Sequence, residues 1–166
     1  MRNLKTYSVL LALIISSCGV YTFSGSSISS EVKTVNINFF ENKTSLSPSN
    51  LSNNFTEALK DKLSSETNLS PVSTDGDLTY TGYISNYDIK PIAIQADETA
   101  AKNRLTISVK VTFTNKLQEE YNFDKTFSRY ADYDSGEDLK SIEDRLNEEI
   151  TEQLIDNIFN ESISNW

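Results

Sequence analysis

Residues 104–114 constrain the fold more than any other part of the chain. Apolar and polar residues alternate through this segment without interruption, which predicts a β-strand with one buried and one solvent-exposed face. The apolar row is Leu105, Ile107, Val109, Val111 and Phe113. A slip of one residue would expose the whole row, so the pairing of this strand is strongly specified. The chain therefore has to build a sheet whose apolar face is covered by other elements.

Shorter alternating runs predict three further strands, at residues 35–39, 78–84 and 121–127. Two longer runs carry apolar residues every three or four positions, which is typical of amphipathic helices. The first helix uses Leu51, Phe55, Leu59 and Leu63, and the second uses Leu139, Ile142, Leu146, Ile150, Leu154, Ile158 and Phe159. The element order is therefore β-α-β-β-β-α.

This order predicts an α+β fold in one domain, residues 31–166. The first helix connects two strands as a crossover between parallel neighbours, whereas the later strands follow one another as antiparallel hairpins. Two helices with one apolar stripe each cover a sheet that has one apolar face. We therefore expect a two-layer sandwich of two helices packed on a four-stranded mixed sheet.

Local signals indicate how some elements begin. Ser47, which precedes a proline, is expected to cap a first helix of about five turns. Ser135 is expected to cap the last helix, with Glu137 and Asp138 near its positive end. Lys125 interrupts the apolar row of the last strand, so either a β-bulge turns it outward or it reaches the sheet edge.

The first residues predict a lipoprotein signal peptide. Arg2 and Lys5 precede an apolar stretch of about nine residues, far below the roughly twenty that span a bilayer, and small residues precede Cys18. Cys18 is the single cysteine of the sequence, and we expect it to be lipidated. An ordinary signal peptide followed by an unmodified thiol is the alternative. We thus expect a signal peptide at 1–17 and a lipidated N-terminus with a Ser-rich tether at 18–30.

Composition narrows the classes of function. The net charge of −9 disfavours nucleic acid as a partner, and any anion has to bind locally. Histidine is absent, which removes His-based acid–base catalysis, Ser/His and Cys/His nucleophile pairs and the commonest zinc sites. Glu119 and Glu120 remain as a carboxylate pair, but adjacent residues of a strand point to opposite faces. We expect no enzymatic activity and no cofactor.

The acidic segment that follows the last strand resembles a calcium-binding loop in part. Asp132, Asp134 and Glu143 fall at the first, third and twelfth positions of such a loop. Gly136, however, stands at the fifth position where the sixth is needed. Helix initiation is the better explanation of these carboxylates, and we expect no metal site.

Basic residues cluster on the polar side of the strand at residues 104–114. Lys102, Arg104 and Lys110 lie at its start and on its polar face, with Lys125 and Arg129 expected on the neighbouring strand. Arg and Lys donate strongly to phosphate oxygens, so this cluster predicts contact with a phosphate-bearing ligand. An ordinary solvated strand face is the alternative.

The connection before this strand carries apolar residues where loops are usually polar. Pro91, Ile92 and Ile94 precede the acidic pair Asp97 and Glu98. Apolar residues in a loop indicate a partner or an acyl chain. Closure of one end of the core is an equally good explanation.

The chain resembles the LptE family of lipopolysaccharide-assembly lipoproteins over nearly its whole mature region. The stretches that carry the resemblance are residues 18–21 (CGVY), 35–42 (VNINFFEN), 103–111 (NRLTISVKV), 127–133 (FSRYADY) and 158–160 (IFN). Their order, together with the lipidation signal and the string of elements, identifies the family.

The resemblance implies a protein tethered to the inner leaflet of the outer membrane and facing the periplasm. It implies a plug in the lumen of the LptD β-barrel that assists barrel assembly and the insertion of lipopolysaccharide into the outer leaflet. It also implies direct binding of lipopolysaccharide through basic residues, onto which Lys102, Arg104 and Lys110 map loosely. The alternative is a free envelope lipoprotein that binds a small ligand or glycan.

Overall fold

Six strands and two helices make up the part of the chain that the structure describes. The structure, a computed structural model, describes residues 29–92 and 101–164. The strands are β1 (Thr34–Ile37), β2 (Glu41–Asn42), β3 (Ser70–Pro71), β4 (Leu78–Ile92), β5 (Lys102–Asn115) and β6 (Phe123–Asp134). The helices are α1 (Leu51–Glu66) and α2 (Leu139–Phe159), with a 3-10 turn at Glu119–Tyr121 and a π-helical turn at Asn160–Ser164.

The strands form one mixed sheet in the order β3-β1-β4-β5-β6, and β2 pairs with β4 beyond the end of β1. Strand β1 is parallel to β3 and β4, with α1 as the crossover, and β4, β5 and β6 are antiparallel. The α+β class, the mixed sheet and the crossover are confirmed. The predicted count of four strands is wrong, because β2 and β3 pair over two residues each, too few to show any alternation in the sequence.

The core lies between the sheet and the two helices. The apolar row of β5 is at most 1% exposed along its whole length, as the alternation predicts. The helical stripes that cover this row are also buried: Leu51, Phe55, Leu59 and Leu63 from α1, and Leu146, Ile150, Leu154 and Ile158 from α2. Neither helix in this part of the chain is long and apolar enough to cross a membrane.

Gly82 allows two parts of the core to meet. A Cβ atom at this position of β4 would stand 2.1 Å from the carbonyl oxygen of Lys110 and 2.6 Å from the ring of Phe40. Phe40 is fully buried and packs against Phe55, with 5.1 Å between ring centroids. A residue without a side chain at position 82 is therefore what lets Phe40 cover the β4 backbone.

Asp77 fastens the first strand to the start of β4. Its Oδ2 accepts hydrogen bonds from the backbone N–H groups of Lys33 and Thr34, each at 2.9 Å, and from Thr34 Oγ1 at 2.8 Å. In return, the backbone N–H of Asp77 donates to Thr34 Oγ1 at 2.9 Å. These hydrogen bonds, from the Lys33 backbone first and then Thr34, hold the pKa of Asp77 below its usual range.

Helix α1 begins later than the sequence predicts. Its N-cap is Asn50, which makes no side-chain capping bond, and the helix runs for 16 residues. The hydroxyl of Ser47 is instead engaged in the preceding loop, where it accepts from Asn42 and Thr44. The expected cap at Ser47 is wrong because this loop bonding holds the serine outside the helix.

Helix α2 begins at Leu139, and its cap also differs from the prediction. Asp138 is the N-cap residue and its side chain accepts from the backbone N–H of Lys140 at 3.3 Å. Ser135, the predicted cap, lies in the turn before the helix, where its backbone N–H donates to the carbonyl of Ala101. Tyr121, predicted to open the last strand, belongs to the 3-10 turn, and β6 starts at Phe123.

The question of a bulge at Lys125 is settled by the register of β6. Pairing with β5 is continuous from Phe123 to Asp134, so Lys125 stands opposite Val111 on the apolar side. On edge strand β6, its ammonium group forms an ion pair with the carboxylate of Glu161 in the π-helical turn after α2. Lys125 therefore reaches the edge and lies in no bulge.

Candidate functional site

The face of the sheet that turns away from the helices is polar and open. Lys102, Arg104 and Lys110 occupy alternate positions of β5, opposite in side from its buried row, and so share this open face. They do not form one tight cluster, because Lys110 lies six positions after Arg104, roughly 20 Å along the strand. The prediction that these three cations share one face of the sheet is thus confirmed, but they are spread along the strand.

Arg104 is already bound to a carboxylate. Its Nε and Nη2 donate to the two carboxylate oxygens of Asp132 at 2.7 and 2.8 Å, in the two-pronged geometry that arginine also uses for phosphate. The guanidinium carbon lies 3.5 Å from the ring centroid of Tyr130. The hydrogen bonds from Arg104 hold the pKa of Asp132 below its usual range. Arg104 is therefore held flat on the sheet.

Lys110 has a similar neighbour. Its ammonium nitrogen lies 2.9 Å from Oδ1 of Asp124, an oxygen that also accepts from the hydroxyl of Thr112 at 3.0 Å. These bonds, the one from Lys110 first, hold the pKa of Asp124 below its usual range. Lys102 stands opposite Asp134 in the register of β5 and β6. Each of the three cations therefore has an acidic residue beside it, and a phosphate has to compete for them.

Lys125 and Arg129 lie on the other side of the sheet, so the expectation that they extend the basic cluster is wrong. Lys125 pairs with Val111 and Arg129 pairs with Ile107, both of which belong to the buried row of β5. Directly paired residues project from the same face of a sheet, so both cations lie on the helix side. Arg129 Nη2 donates to Oδ1 of Asn157 at 2.7 Å. Two charged residues pointing inward at an edge strand discourage pairing with another chain.

One end of the open face combines a cation with an apolar residue. Ile92 closes β4 directly opposite Lys102, and Pro91 stands opposite Asn103. Ile94 and the rest of the connection, residues 93–100, lie outside the described residues, as do Cys18 and Trp166. The prediction that Pro91 and Ile92 lie in a loop is wrong, because β4 stays paired with β5 up to Ile92; of these two residues Ile92 lies on the open face, and Pro91 lies on the opposite face.

The carboxylates considered for metal binding are separated by the sheet. Asp132 binds Arg104 on the open face, whereas Glu143 on α2 accepts from the hydroxyl of Tyr87 at 2.8 Å. Asp134 accepts from the backbone N–H of Gly136. Residues 29–92 and 101–164 contain no group of three or more metal-binding side chains. Asp132 thus forms an ion pair, Glu143 bonds a tyrosine, and Asp134 stabilises a turn.

Comparison with protein families decides where the chain belongs. The LptE family model, described as lipopolysaccharide-assembly, matches residues 32–162. The chain belongs to the LptE family. The matched region runs from just before β1 into the π-helical turn after α2, so it takes in every strand and both helices. Family membership makes this chain a lipopolysaccharide-assembly lipoprotein.

Solved structures are similar to this chain at low identity. A putative neuraminyllactose-binding hemagglutinin homolog from Helicobacter pylori is 11% identical, with a TM-score of 0.53 over 85% of this chain and 88% of that one. A minor lipoprotein from Acinetobacter baumannii is 12% identical, with a TM-score of 0.49 over 77% and 90%. The rare lipoprotein B from Shewanella oneidensis is 10% identical, with a TM-score of 0.46 over 78% and 90%. No curated protein matches the sequence.

Proposed function

We propose that this LptE-family lipoprotein partners an LptD-type outer-membrane β-barrel in the assembly and insertion of lipopolysaccharide into the outer leaflet. The family match over residues 32–162 carries the proposal. A lipid on Cys18 holds the domain at the periplasmic side of the outer membrane, and the protein acts by binding, without catalysis. The absence of histidine from the sequence supports a role without acid–base chemistry.

The open sheet face is the surface that we assign to lipopolysaccharide. Lys102, Arg104 and Lys110 contact its phosphates, and Ile92 at the end of β4, together with the connection that follows it, contacts its acyl chains. The cross-strand pair of Ile92 and Lys102 supports this assignment, because it brings an apolar group and a cation together where a charged lipid needs both. Ile94 continues the same apolar run in the sequence.

The ion pairs on this face determine how such a ligand binds. A phosphate that binds Arg104 has to replace the two hydrogen bonds that Asp132 accepts. The exchange substitutes one anion for another, so its net gain is small compared with binding to a free guanidinium. This arrangement favours transient contact during transfer over tight storage of the glycolipid.

Purification from native membranes tests the partnership. The tagged full chain, extracted in mild detergent, is expected to recover a large outer-membrane β-barrel that mass spectrometry identifies. A Cys18→Ser chain, which cannot be lipidated, is expected to recover much less barrel because the anchor brings the partners into one membrane. Recovery of the lipoprotein without a barrel contradicts the proposal, and a monomer loaded with a small glycan favours the free-lipoprotein alternative.

Charge variants test the lipopolysaccharide surface. The double variant Arg104→Gln, Lys110→Gln is expected to weaken lipopolysaccharide binding by about 3- to 10-fold, since exposed charge contacts contribute up to about 1 kcal/mol each. Lys60→Gln, Lys140→Gln carries the same change in net charge on the two helices, on the other side of the sheet, and serves as the control. Asp132→Asn is expected to strengthen binding because it weakens the competition for Arg104. Equal binding by both double variants moves the site elsewhere, with the apolar loop as the next candidate.

A further inference from the structure

The second half of β4 has a free edge. Strands β1 and β2 pair with β4 only as far as Ile84, whose carbonyl accepts from the backbone N–H of Lys43. Beyond this point, residues 86–92 pair with β5 on one side, and no residue of 29–92 or 101–164 pairs with them on the other side. A free strand edge is a template for a further strand. Residues 86–92, the β4 edge, can therefore accept a strand from another chain.

The backbone groups that point out of the β4 edge belong to Tyr87, Ile89 and Pro91. Ile84 forms a non-hydrogen-bonded pair with β5, because its carbonyl points the other way, to Lys43. After the irregularity that follows Ile84, the helix-side residues of β5 stand opposite Tyr87, Ile89 and Pro91, which therefore form pairs of the same kind. A proline fits there, since it has no N–H to give to β5. The edge thus offers the N–H groups of Tyr87 and Ile89 together with the carbonyl groups of all three residues.

The charged side chains of the β4 edge are self-complementary. Asp88 and Lys90 flank Ile89 on the open sheet face and form an exposed ion pair at 2.6 Å. When two copies pair antiparallel with Ile89 opposite Ile89, each Asp88 stands across from Lys90 of the other copy. The two neighbouring registers that keep the hydrogen-bond pattern set Asp88 against Asp88 or Lys90 against Lys90. Because opposite charges across a strand pair stabilise it and like charges destabilise it, the charges select one register.

The backbone groups fit the same register. Two N–H···O bonds join the two Ile89 residues, and the Tyr87 N–H of each copy donates to the Pro91 carbonyl of the other. Every free N–H group of the edge then has an acceptor. Ile89, which is 36% exposed in the single chain, contacts its counterpart on the helix side. Charge, hydrogen bonding and apolar contact therefore agree on one arrangement, in which the partner is a second copy of the chain.

We propose that two copies of this chain pair through the β4 edge in this register and form a two-fold symmetric dimer with one continuous sheet. Pairing stops at two copies, because Lys125 and Arg129 discourage it at the edge of β6. The paired edges are far smaller than a standard interface, so the dimer is reversible and depends on concentration. The inference goes beyond the proposed function and depends neither on a barrel partner nor on lipopolysaccharide binding.

Charge reversal tests the pairing. Analytical ultracentrifugation of the full chain in mild detergent measures the dissociation constant of the dimer. Lys90→Asp and Asp88→Lys are each expected to weaken self-association at least about 10-fold, because each sets like charges against each other twice per dimer. An equimolar mixture of the two variants is expected to restore association, since every acid then faces a base. Lys116→Asp makes the same change in net charge as Lys90→Asp at the other end of β4, where Lys116 bonds the carbonyl of Asp77, and serves as the control.

A cross-link tests the register. Cys18→Ser, Ile89→Cys has a single thiol, at the position where the two copies meet. Directly opposed residues of a hydrogen-bonded antiparallel pair have Cα atoms about 5.5 Å apart, which suits a disulfide. Mild oxidation is therefore expected to give a covalent dimer that a reducing agent separates. Cys18→Ser, Thr126→Cys places the thiol at an exposed position on β6 and is expected to stay monomeric.

The outcomes separate a second copy from other partners of this edge. A chain that stays monomeric at its highest soluble concentration overturns the proposal, as does equal weakening by Lys90→Asp and Lys116→Asp. A thiol at position 89 that cross-links only to an outer-membrane barrel assigns the edge to that barrel and also overturns it. Thermal unfolding checks that each variant is folded. Restored association in the mixture supports the proposal independently, because it requires both charge variants to be folded.

Discussion

A buried hydrogen bond between Tyr80 and Ser162 ties the π-helical turn after α2 to the sheet. Both residues are fully buried, and the Tyr80 hydroxyl donates to Oγ of Ser162 at 2.7 Å. Ser162 Oγ is in turn bonded to the carbonyl of Ile158 at 2.7 Å. Burial raises the pKa of Tyr80, so its hydroxyl stays a neutral donor. A substitution of either residue removes this hydrogen bond, and the two substitutions are expected to lower the free energy of unfolding by different amounts.

Ser162→Ala leaves the Tyr80 hydroxyl buried without its acceptor, which lowers the free energy of unfolding by about 1–3 kcal/mol. Tyr80→Phe removes the donor but leaves Ser162 bonded to its helix carbonyl, so the expected loss is about 0.5–1.5 kcal/mol. The double variant should lose clearly less than the sum, because its second substitution breaks no remaining bond between the two positions. A loss of 1 kcal/mol corresponds to about 2–4 °C in melting temperature for a chain of this size.

Urea unfolding followed by circular dichroism measures all four proteins of this cycle. Ser65→Ala is the matched control, since Ser65 bonds to a helix carbonyl in the same way but is exposed. Its expected loss is within about 0.5 kcal/mol. A larger loss for Tyr80→Phe than for Ser162→Ala would refute the reasoning, as would strictly additive effects in the double variant.

Three further predictions follow from the fold. Gly82→Ala is expected to lower the free energy of unfolding by about 2 kcal/mol or more, because the new methyl meets the Lys110 carbonyl; a loss under about 0.5 kcal/mol in urea unfolding contradicts this. The depressed pKa of Asp77 stabilises the fold above about pH 4, and that contribution is lost as the pH falls through the folded-state pKa. Asp77→Asn should therefore reduce the slope with which the free energy of unfolding falls between about pH 4 and lower pH. An unchanged slope in acid unfolding argues against a stabilising role of the Asp77 carboxylate. Lys125→Val, Arg129→Val should make the free edge of β6 self-associate in light scattering, whereas a monomer at the same concentration rules out their protective role.

The parts of the fold that the sequence predicts are those with long regular patterns. The alternation along β5 and the stripes of α1 and α2 determine which faces are buried, because each is long enough for its period to be read. Strands β2 and β3 have no such signal, since two residues pair there only because a neighbouring strand presents free backbone groups. Ser47 shows a related limit, because whether a hydroxyl caps a helix depends on competing partners in the preceding loop.

The sequence predicts where the basic residues of the open sheet face lie, but not that acidic residues stand beside them. Alternation alone places Lys102, Arg104 and Lys110 on the polar face of β5. Their acidic neighbours depend on the register of the hairpin, which brings Asp132 across from Arg104 over a separation of 28 residues.

The parallel pairing of β1 with β4 has a consequence for the order in which the molecule assembles. Strands β4, β5 and β6 join neighbours in sequence, whereas the bond from Thr34 to Asp77 closes a separation of 43 residues. Because closing a longer loop costs more entropy, we expect the three-strand meander to form first and β1 to dock late. Strand β1 is the first of the six to be synthesised, but β4, the strand with which it pairs, is synthesised more than forty residues later. During that interval the apolar side chains of β1 and α1 have no partner within the chain.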